Sequence, residues 1–422
     1  MMWLAKMRRG VLLQRYLACS LLLPLIAGRF LRQRLKRGKE HPTRWIETQA
    51  KDLAPRPAGQ VIWLNAVGLG EVLSLGGLIA RLAMLLPDAS FLVTSTTTTS
   101  AKVFAKQMPP RTMHQFLPID ALRYRQRFLD HFHPDLCLWV EQDLWPGFVV
   151  ANAKRNIPQA VIAGRMDDVS FRSRAKAKSL FKNIYEVMTL VTAQDARSAQ
   201  NLSKLGAAPT ISGSLKPAAP VLTCDENDLI FLQELLQGRT VWAVAPSHTT
   251  DEQIALDAHK ILRQTDPGAL LIIVPRFPPR GEEIATMIGH PTPRRSAGQL
   301  PSAGDPVWLC DTFGELGLIY RLAKTVLIGG TFNAIEGHNP WEAAALNAAV
   351  IHGPHTGNFS SDYAQLDAAN AAVKVKDAAE LAAAFDQMDH GEITSNAHAV
   401  IGQASQSTDA LAHEIAKLLG PV

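Results

Sequence analysis

Several residues able to do chemistry in this chain stand just after short apolar runs. The clearest group is Gly329-Gly330-Thr331-Phe332-Asn333-Ala334-Ile335-Glu336-Gly337-His338-Asn339-Pro340-Trp341-Glu342, which follows the apolar run 325–328. Paired glycines after a strand let a ligand approach the backbone closely. Asn339 can cap a helix over 342–347, with Pro340 fitting its first turn. The free N–H groups and dipole of such a turn suit a phosphate, and Glu342 then stands where a carboxylate can hold a ribose diol. A second loop, Gly353-Pro354-His355-Thr356-Gly357-Asn358-Phe359, follows the next apolar run and is expected beside the first. Together they point to a nucleotide-linked ligand.

Two carboxylates mark the first half. Glu71 follows Asn65-Ala66-Val67-Gly68-Leu69-Gly70 at a helix start. It is either a stabilising first-turn acid or a catalytic group. Glu141, in Val140-Glu141-Gln142-Asp143-Leu144-Trp145-Pro146, ends another apolar run, and Trp145 is expected to be packing. Lys216, Arg276 (after Pro275) and Arg280 read as basic residues near strand ends of the second half. They either neutralise a phosphate or sugar carboxylate or are solvated surface charges. Ser247-His248-Thr249-Thr250-Asp251-Glu252 opens a helix and can cradle a phosphate, although capping explains its Ser and Thr equally well. Two other chemistries are disfavoured. Gly68 and Gly70 begin a dinucleotide fingerprint, but its third glycine is Leu73. His338, His352 and His355 lack the Cys or acid partners of a zinc site, so no metal is expected.

Elements that position these groups alternate along the chain. Strands are expected over 61–66, 90–95, 136–140, 159–163 and 186–193, with helices between, such as 71–85 and 196–205. Gly213, Pro217 and Pro220 break the pattern, making 213–227 a linker. A second series follows, with strands at 240–245, 270–275, 306–310, 325–328, 349–353 and 372–375 and helices at 251–263, 314–322 and 378–388. A last amphipathic helix covers 397–419. Alternation of this kind predicts parallel sheets with crossover helices. Two doubly wound domains would place a cleft at the carboxyl ends of both sheets. The expected division is 1–44, 45–212, 213–227, 228–396 and 397–422.

Bulk properties narrow the partners. The 422 residues are 47% apolar, enough for two cores. Residues 1–44 hold eleven Lys and Arg against one acid, Glu40, whereas the remainder holds 32 basic and 37 acidic residues, a net charge of −5. The folded body is therefore not expected to bind nucleic acid, and the basic end suits an anionic membrane surface. Residues 16–28 form an apolar run whose helix reaches roughly 20 Å, short of the ~30 Å hydrocarbon core. A retained anchor is expected, with a signal peptide or a core helix as the alternatives. Cys19, Cys137, Cys224 and Cys310 are far apart, which favours a reducing cytoplasm over a disulfide framework.

At the level of motifs the chain resembles the 3-deoxy-D-manno-octulosonic acid (Kdo) transferases of lipopolysaccharide synthesis along nearly its whole length. The resemblance rests most on Asp311-Thr312-Phe313-Gly314-Glu315-Leu316, Gly329-Gly330, Gly337-His338-Asn339-Pro340-Trp341-Glu342 and Gly353 to Phe359. Gly70-Glu71-Val72, Glu141 with Leu144-Trp145-Pro146, Gly213-Ser214-Leu215-Lys216, Ser247-His248, Val274-Pro275-Arg276 and Arg294-Arg295-Ser296 support it. The resemblance implies an α/β GT-B glycosyltransferase with two doubly wound Rossmann-like domains facing a cleft and an N-terminal membrane-anchoring helix. It implies an acceptor-binding first domain and a CMP-sugar-binding second domain, at the cytoplasmic face of the bacterial inner membrane. CMP-Kdo would be the donor and a lipid A precursor the acceptor, with inversion and no cofactor or metal.

By that pattern Glu71 is the general base, and Glu141 is grouped with it as catalytic. Lys216, Ser247, His248, Pro275, Arg276, Asp311, Gly314, Glu315, Gly330, Asn339 and Glu342 are the donor-binding set. The chain departs from the pattern at Asn65 (usually His), Thr250-Asp251-Glu252 (usually Gly-Glu-Glu), Phe277 (usually His), Gly147 (usually Asn) and Ala218 (usually Asp). The nucleotide-side motifs are kept best. Two alternatives remain: a divergent paralogue with a related sugar or another envelope acceptor, and a catalytically weak envelope-assembly scaffold.

Overall fold

A computed structural model of the protein describes residues 10–106 and 108–420. The chain forms two compact units. One comprises residues 1–220 with 404–422, the other 221–403.

The first unit holds a seven-stranded parallel sheet in the order β3-β2-β1-β4-β5-β6-β7. Its strands are β1 (Val61–Asn65), β2 (Ser90–Ser95), β3 (Thr112–Phe116), β4 (Leu136–Val140), β5 (Gln159–Gly164), β6 (Leu190–Ala193) and β7 (Thr210–Ile211). The central strands are apolar on both faces because helices cover both. Trp63, Cys137 and Trp139 enter one core, whereas Ile62, Leu64, Leu136 and Leu138 enter the other. That alternation inside a continuous apolar run is what a sheet buried on both sides demands. Trp63 and Trp139 meet edge to face at 5.4 Å. The Leu69–Leu85 helix buries Val72, Leu75, Leu78, Ile79 and Leu82 in the second of these cores, beside Leu411, Ala412 and Ile415 of the final helix.

The second unit holds a six-stranded parallel sheet in the order β10-β9-β8-β11-β12-β13. Its strands are β8 (Val241–Ser247), β9 (Leu270–Pro275), β10 (Val307–Leu309), β11 (Thr325–Leu327), β12 (Ala349–His352) and β13 (Ala372–Lys374). Ala243, Ile272, Val326 and Val350 pack on one face and Val244, Ile273, Leu327 and Ile351 on the other.

In each unit chain direction across the sheet reverses beside the first strand. The first unit switches between β1 and β4, the second between β8 and β11. Open parallel sheets bind ligands at the carboxyl ends of strands flanking such a switch.

Some expected boundaries move. The strand expected over 186–193 is only β6, because the Lys178–Tyr185 helix runs up to Glu186. β3 and β7 were not anticipated. β3 carries His114 and Gln115 inside an edge strand, and β7 is two exposed residues long. The expected helix over 342–347 is a single turn, Trp341–Ala344. The last helix starts earlier, at His390, and runs to Lys417. Its Ala397 and Val400 belong to the second unit's core.

Near the N-terminus a 26-residue helix, Val11–Lys36, lies on the first unit. Leu13, Ala27 and Leu31 are buried, the Tyr16 hydroxyl donates to Asp120 at 2.8 Å, and Arg125 donates to Ser20 at 3.1 Å. Leu25 (80% exposed), Ile26 and Leu22 point outward. Lys6, Arg8 and Arg9 of the basic segment lie outside the described residues.

Candidate functional site

The first unit's switch point gathers carboxylates. Asn65 ends β1 fully buried, accepting from Thr94 at 2.9 Å. The chain then turns into the Leu69–Leu85 helix, and Glu71 folds back over that turn. Its Oε2 accepts from the backbone N–H of Val67 at 2.7 Å and of Gly68 at 3.3 Å. The first-turn capping role is therefore real. It does not exhaust Glu71, whose carboxyl is raised to about 7, chiefly by burial and then by the negative charge of Glu141. A carboxyl poised near neutrality can exchange protons at physiological pH.

Glu141 comes from the end of β4, the other strand of the switch. Its φ is +56°, a left-handed conformation costly for a residue with a side chain, and it is only 8% exposed. Lys216 donates to it at 2.6 Å, and both side chains are buried. Burial also raises Asp143, with Glu141 adding to the shift and Arg174 opposing it.

Lys216 thus belongs to the first unit and not, as its sequence position suggested, to a strand end of the second. The stretch after Gly213 packs on the Leu69–Leu85 helix. Gly77 makes this possible, since a Cβ there would lie 2.0 Å from the Ala218 carbonyl oxygen. Only after Pro220 does the chain enter the second unit.

The second unit's switch point gathers Ser247 and His248 at the end of β8 and the Gly330–His338 loop after β11. Gly329 packs on the β8 end, where an added Cβ would lie 2.0 Å from the Pro246 carbonyl oxygen. Gly330 takes a φ of +75°. Asp251 ties the two sides together, accepting from the His248 N–H at 3.0 Å and the Gly330 N–H at 2.7 Å. Its carboxyl is raised to about 6, mainly by burial. His248 and His338 approach Nε2 to Nε2 at 2.9 Å. Arg276 follows Pro275 at the end of β9, and its backbone N–H donates to the Ser247 carbonyl at 2.9 Å. The second glycine loop does lie beside the first: the His355 N–H donates to the Thr331 carbonyl, and the Asn358 N–H to that of Glu336, both at 2.9 Å.

Other expected residues are engaged locally. Arg280 clamps fully buried Glu252 through two 2.9 Å contacts and also pairs with Glu283. Asp311 receives Arg294 at 2.8 Å and the Ser296 N–H at 3.0 Å. Glu315 is held by Arg295 at 3.0 Å and by Thr312, just after Gly314 at φ +89°. These last two carboxylates follow β10, two strands from β8, which is about 10 Å at ordinary strand spacing. The Asn339 side chain accepts from the Trp341 N–H at 3.2 Å and donates to Glu342 at 3.1 Å, while burial raises the Glu342 carboxyl.

The three histidines weighed for zinc separate: His338 pairs with His248, and His352 with Asp367 at 2.9 Å. Sequence reasoning missed His338 and Asp251 as site residues. Asp251 was visible only as a capping acid, because its second bond, to Gly330, spans 79 residues.

Comparison with known proteins identifies the family. The family model described as 3-Deoxy-D-manno-octulosonic-acid transferase (kdotransferase) matches residues 30–219. The 3-deoxy-D-manno-octulosonic acid transferase of Rickettsia bellii is 32% identical over 76% of this chain and 77% of its own. That of Haemophilus influenzae is 30% identical over 77% and 78%. Among solved structures, a glycosyltransferase from Rickettsia africae covers 87% of this chain and 100% of its own at a TM-score of 0.58 and 10% identity, a likeness of fold alone. The chain belongs to the 3-deoxy-D-manno-octulosonic acid transferase family and is a glycosyltransferase.

Proposed function

We propose that this enzyme moves Kdo from CMP-Kdo to a hydroxyl of a lipid A precursor with inversion, and that Glu71 is the general base. The observation that carries the base assignment is the largely buried Glu71 carboxyl at the β1/β4 switch, raised to about 7 and held by two backbone N–H groups. As the acceptor oxygen bonds to the anomeric carbon, its proton passes to Glu71. The bond from that carbon to the phosphate oxygen breaks, and CMP leaves with the electron pair. Direct displacement of this kind inverts the anomeric centre. A positioned base contributes typically 10²–10⁴-fold. Glu141 acts on Glu71 through its charge, and Lys216 keeps that buried charge paired.

The donor side of the proposal uses the β8/β11 switch. Ser247, His248, Arg276 and Gly330 surround the phosphate, while Asn339 and Glu342 serve the ribose. Asp311, Gly314 and Glu315 serve the base. Cationic side chains and backbone N–H groups offset the charge of the departing phosphate, so the proposed reaction uses no metal. The Val11–Lys36 helix, with a mean hydropathy of 1.6 in its most apolar window, holds the protein at the cytoplasmic face of the inner membrane in this reading.

Incubating purified protein with CMP-Kdo and lipid A precursor, while following CMP release and lipid mass, tests the proposal. Transfer by the wild type supports it. No transfer across a panel of precursors sinks it, and transfer by Glu71→Gln at the wild-type rate sinks the base assignment.

A further inference from the structure

His248 is where β8 passes into the Thr249–Thr265 helix, and His338 lies in the loop after β11. Their rings are nearly parallel, 11° apart, with centroids at 5.1 Å. Two ring nitrogens 2.9 Å apart must share one hydrogen, one ring donating and the other accepting. Each element packed around the pair contributes charged or polar groups. From the Thr249–Thr265 helix come Asp251, bonded to the His248 N–H, and Glu252, which is neutralised by Arg280. From the end of β9 comes Arg276, whose guanidinium lies 5.4 Å from the Phe277 ring and has no acidic partner among the described residues. Phe277 itself stands edge-on to His248 at 6.1 Å. The Tyr363 hydroxyl donates to the His338 carbonyl at 2.8 Å, fixing that loop.

Both rings are held below the ordinary imidazole range. Burial is the larger cause for each. On His248 the charge of Glu252 works against that shift while Arg276 and Arg280 add to it, and His248 and Arg276 oppose a charge on His338, which is lowered to about 4. Without a ligand both rings favour the neutral form, beside a cation lacking an acidic partner among the described residues. What would let it charge is an anion.

We propose that the His248–His338 pair seats the donor's phosphate and takes up a single proton when that phosphate binds. The proposal rests on the CMP-sugar reading above and adds His338 and the proton to it. The number follows from geometry. One ring can carry hydrogens on both nitrogens and still donate through Nε2 to the other. A second added proton would set two N–H groups against each other. The proton then has a use. When the bond between the anomeric carbon and the phosphate oxygen breaks, the electron pair stays on that oxygen. The resulting phosphate monoester holds a proton more tightly than the diester did, and the charged pair supplies it. The proton taken from solvent on donor binding leaves with CMP, while the acceptor's proton goes to Glu71.

The test is calorimetric titration of the full-length protein with CMP near pH 7 in buffers of differing ionisation enthalpy, with cytidine as the control lacking phosphate. Wild-type protein should take up about one proton per CMP and none with cytidine. His248→Gln and His338→Gln should each abolish the uptake and weaken CMP by about ten-fold, the worth of one charge-assisted hydrogen bond. CMP binding without proton uptake, or uptake that survives both substitutions, overturns the pair's role and leaves the transferase reading standing if the wild type still turns over CMP-Kdo. Wild-type protein that neither binds CMP nor turns over CMP-Kdo overturns both.

Discussion

In its proposed role as base, Glu71 would serve structure and chemistry with opposite demands. Its bonds to the Val67 and Gly68 N–H groups favour the ionised form, yet burial and Glu141 outweigh them and leave the carboxyl at about 7. A base must be ionised, so kcat/KM should rise with pH through about 7 and level off above it. Measured in the paired variant Glu141→Gln/Lys216→Met, that limb should move to lower pH, because the repelling charge is gone. Stability runs the other way. A carboxyl whose folded value exceeds its unfolded one stabilises below the unfolded value of about 4.5, and this is lost as pH rises to about 7. Glu71→Gln should therefore stabilise the protein at pH 8, by roughly 1–3 kcal/mol in urea titrations, with the gain vanishing at pH 4. Lys216→Met alone should cost about 3–5 kcal/mol by leaving Glu141 buried and unpaired, and adding Glu141→Gln should restore most of it. Glu71 was legible from its place after an apolar run. The Glu141–Lys216 bond was not, since it joins residues 75 apart and nothing local marks Lys216 as turned back onto the first sheet.

Among the elements, the strands that carry the site were the easiest to read. β1, β4, β8 and β9 are buried on both faces and therefore run apolar almost to their carboxyl ends, where Asn65 and Ser247 close β1 and β8. Edge strands escape that rule. β3 replaces apolar side chains with His114, which receives Ser95 or donates to it at 2.8 Å, and Gln115. Loops after strands are constrained by close approach instead. Gly329→Ala should destabilise by about 1–3 kcal/mol, because its methyl group meets the Pro246 carbonyl and both strands of the switch would have to part. CMP affinity should fall with it, whereas an alanine at exposed Gly304, where a Cβ meets nothing within 4 Å, should leave melting temperature and affinity unchanged. The Val11–Lys36 helix was read as an apolar run of 13 residues and turned out twice as long, with one face docked on the first unit from Leu13 to Leu31. In the proposed membrane-bound state, a helix attached along its length in this way would lie in the plane of the interface rather than cross it. Leu25→Glu with Ile26→Glu, both at exposed positions, should cut binding to anionic vesicles by about ten-fold or more in sedimentation and leave solution activity intact. These changes spare Tyr16 and Ser20, whose removal would strip partners from buried Asp120 and Arg125.

Across the whole molecule, charge and fold divide the tasks. The basic leader carries the excess positive charge, and the rest of the chain is net negative. Vesicle binding should accordingly weaken as salt rises, while CMP binding at the proposed site of His248, His338 and Arg276, acting at close quarters, should respond much less. Two parallel sheets each offer one switch point, with Glu71 and the Glu141–Lys216 pair at the first and the His248–His338 pair, Asp251 and Arg276 at the second. The alternation of apolar runs made both sheets legible, and the glycine motifs made the two adjoining loops of the second switch legible. Pairings across more than seventy residues stayed hidden because neither partner looks unusual locally. The proposed reaction is transfer of Kdo with Glu71 as base. The most direct test follows CMP release and lipid mass together for wild type and Glu71→Gln across pH. One CMP should be released per Kdo gained, the wild-type rate should rise through about pH 7, and the variant should lose about 10²–10⁴-fold. Wild-type protein that transfers nothing, or a variant that keeps the wild-type rate and profile, would contradict it.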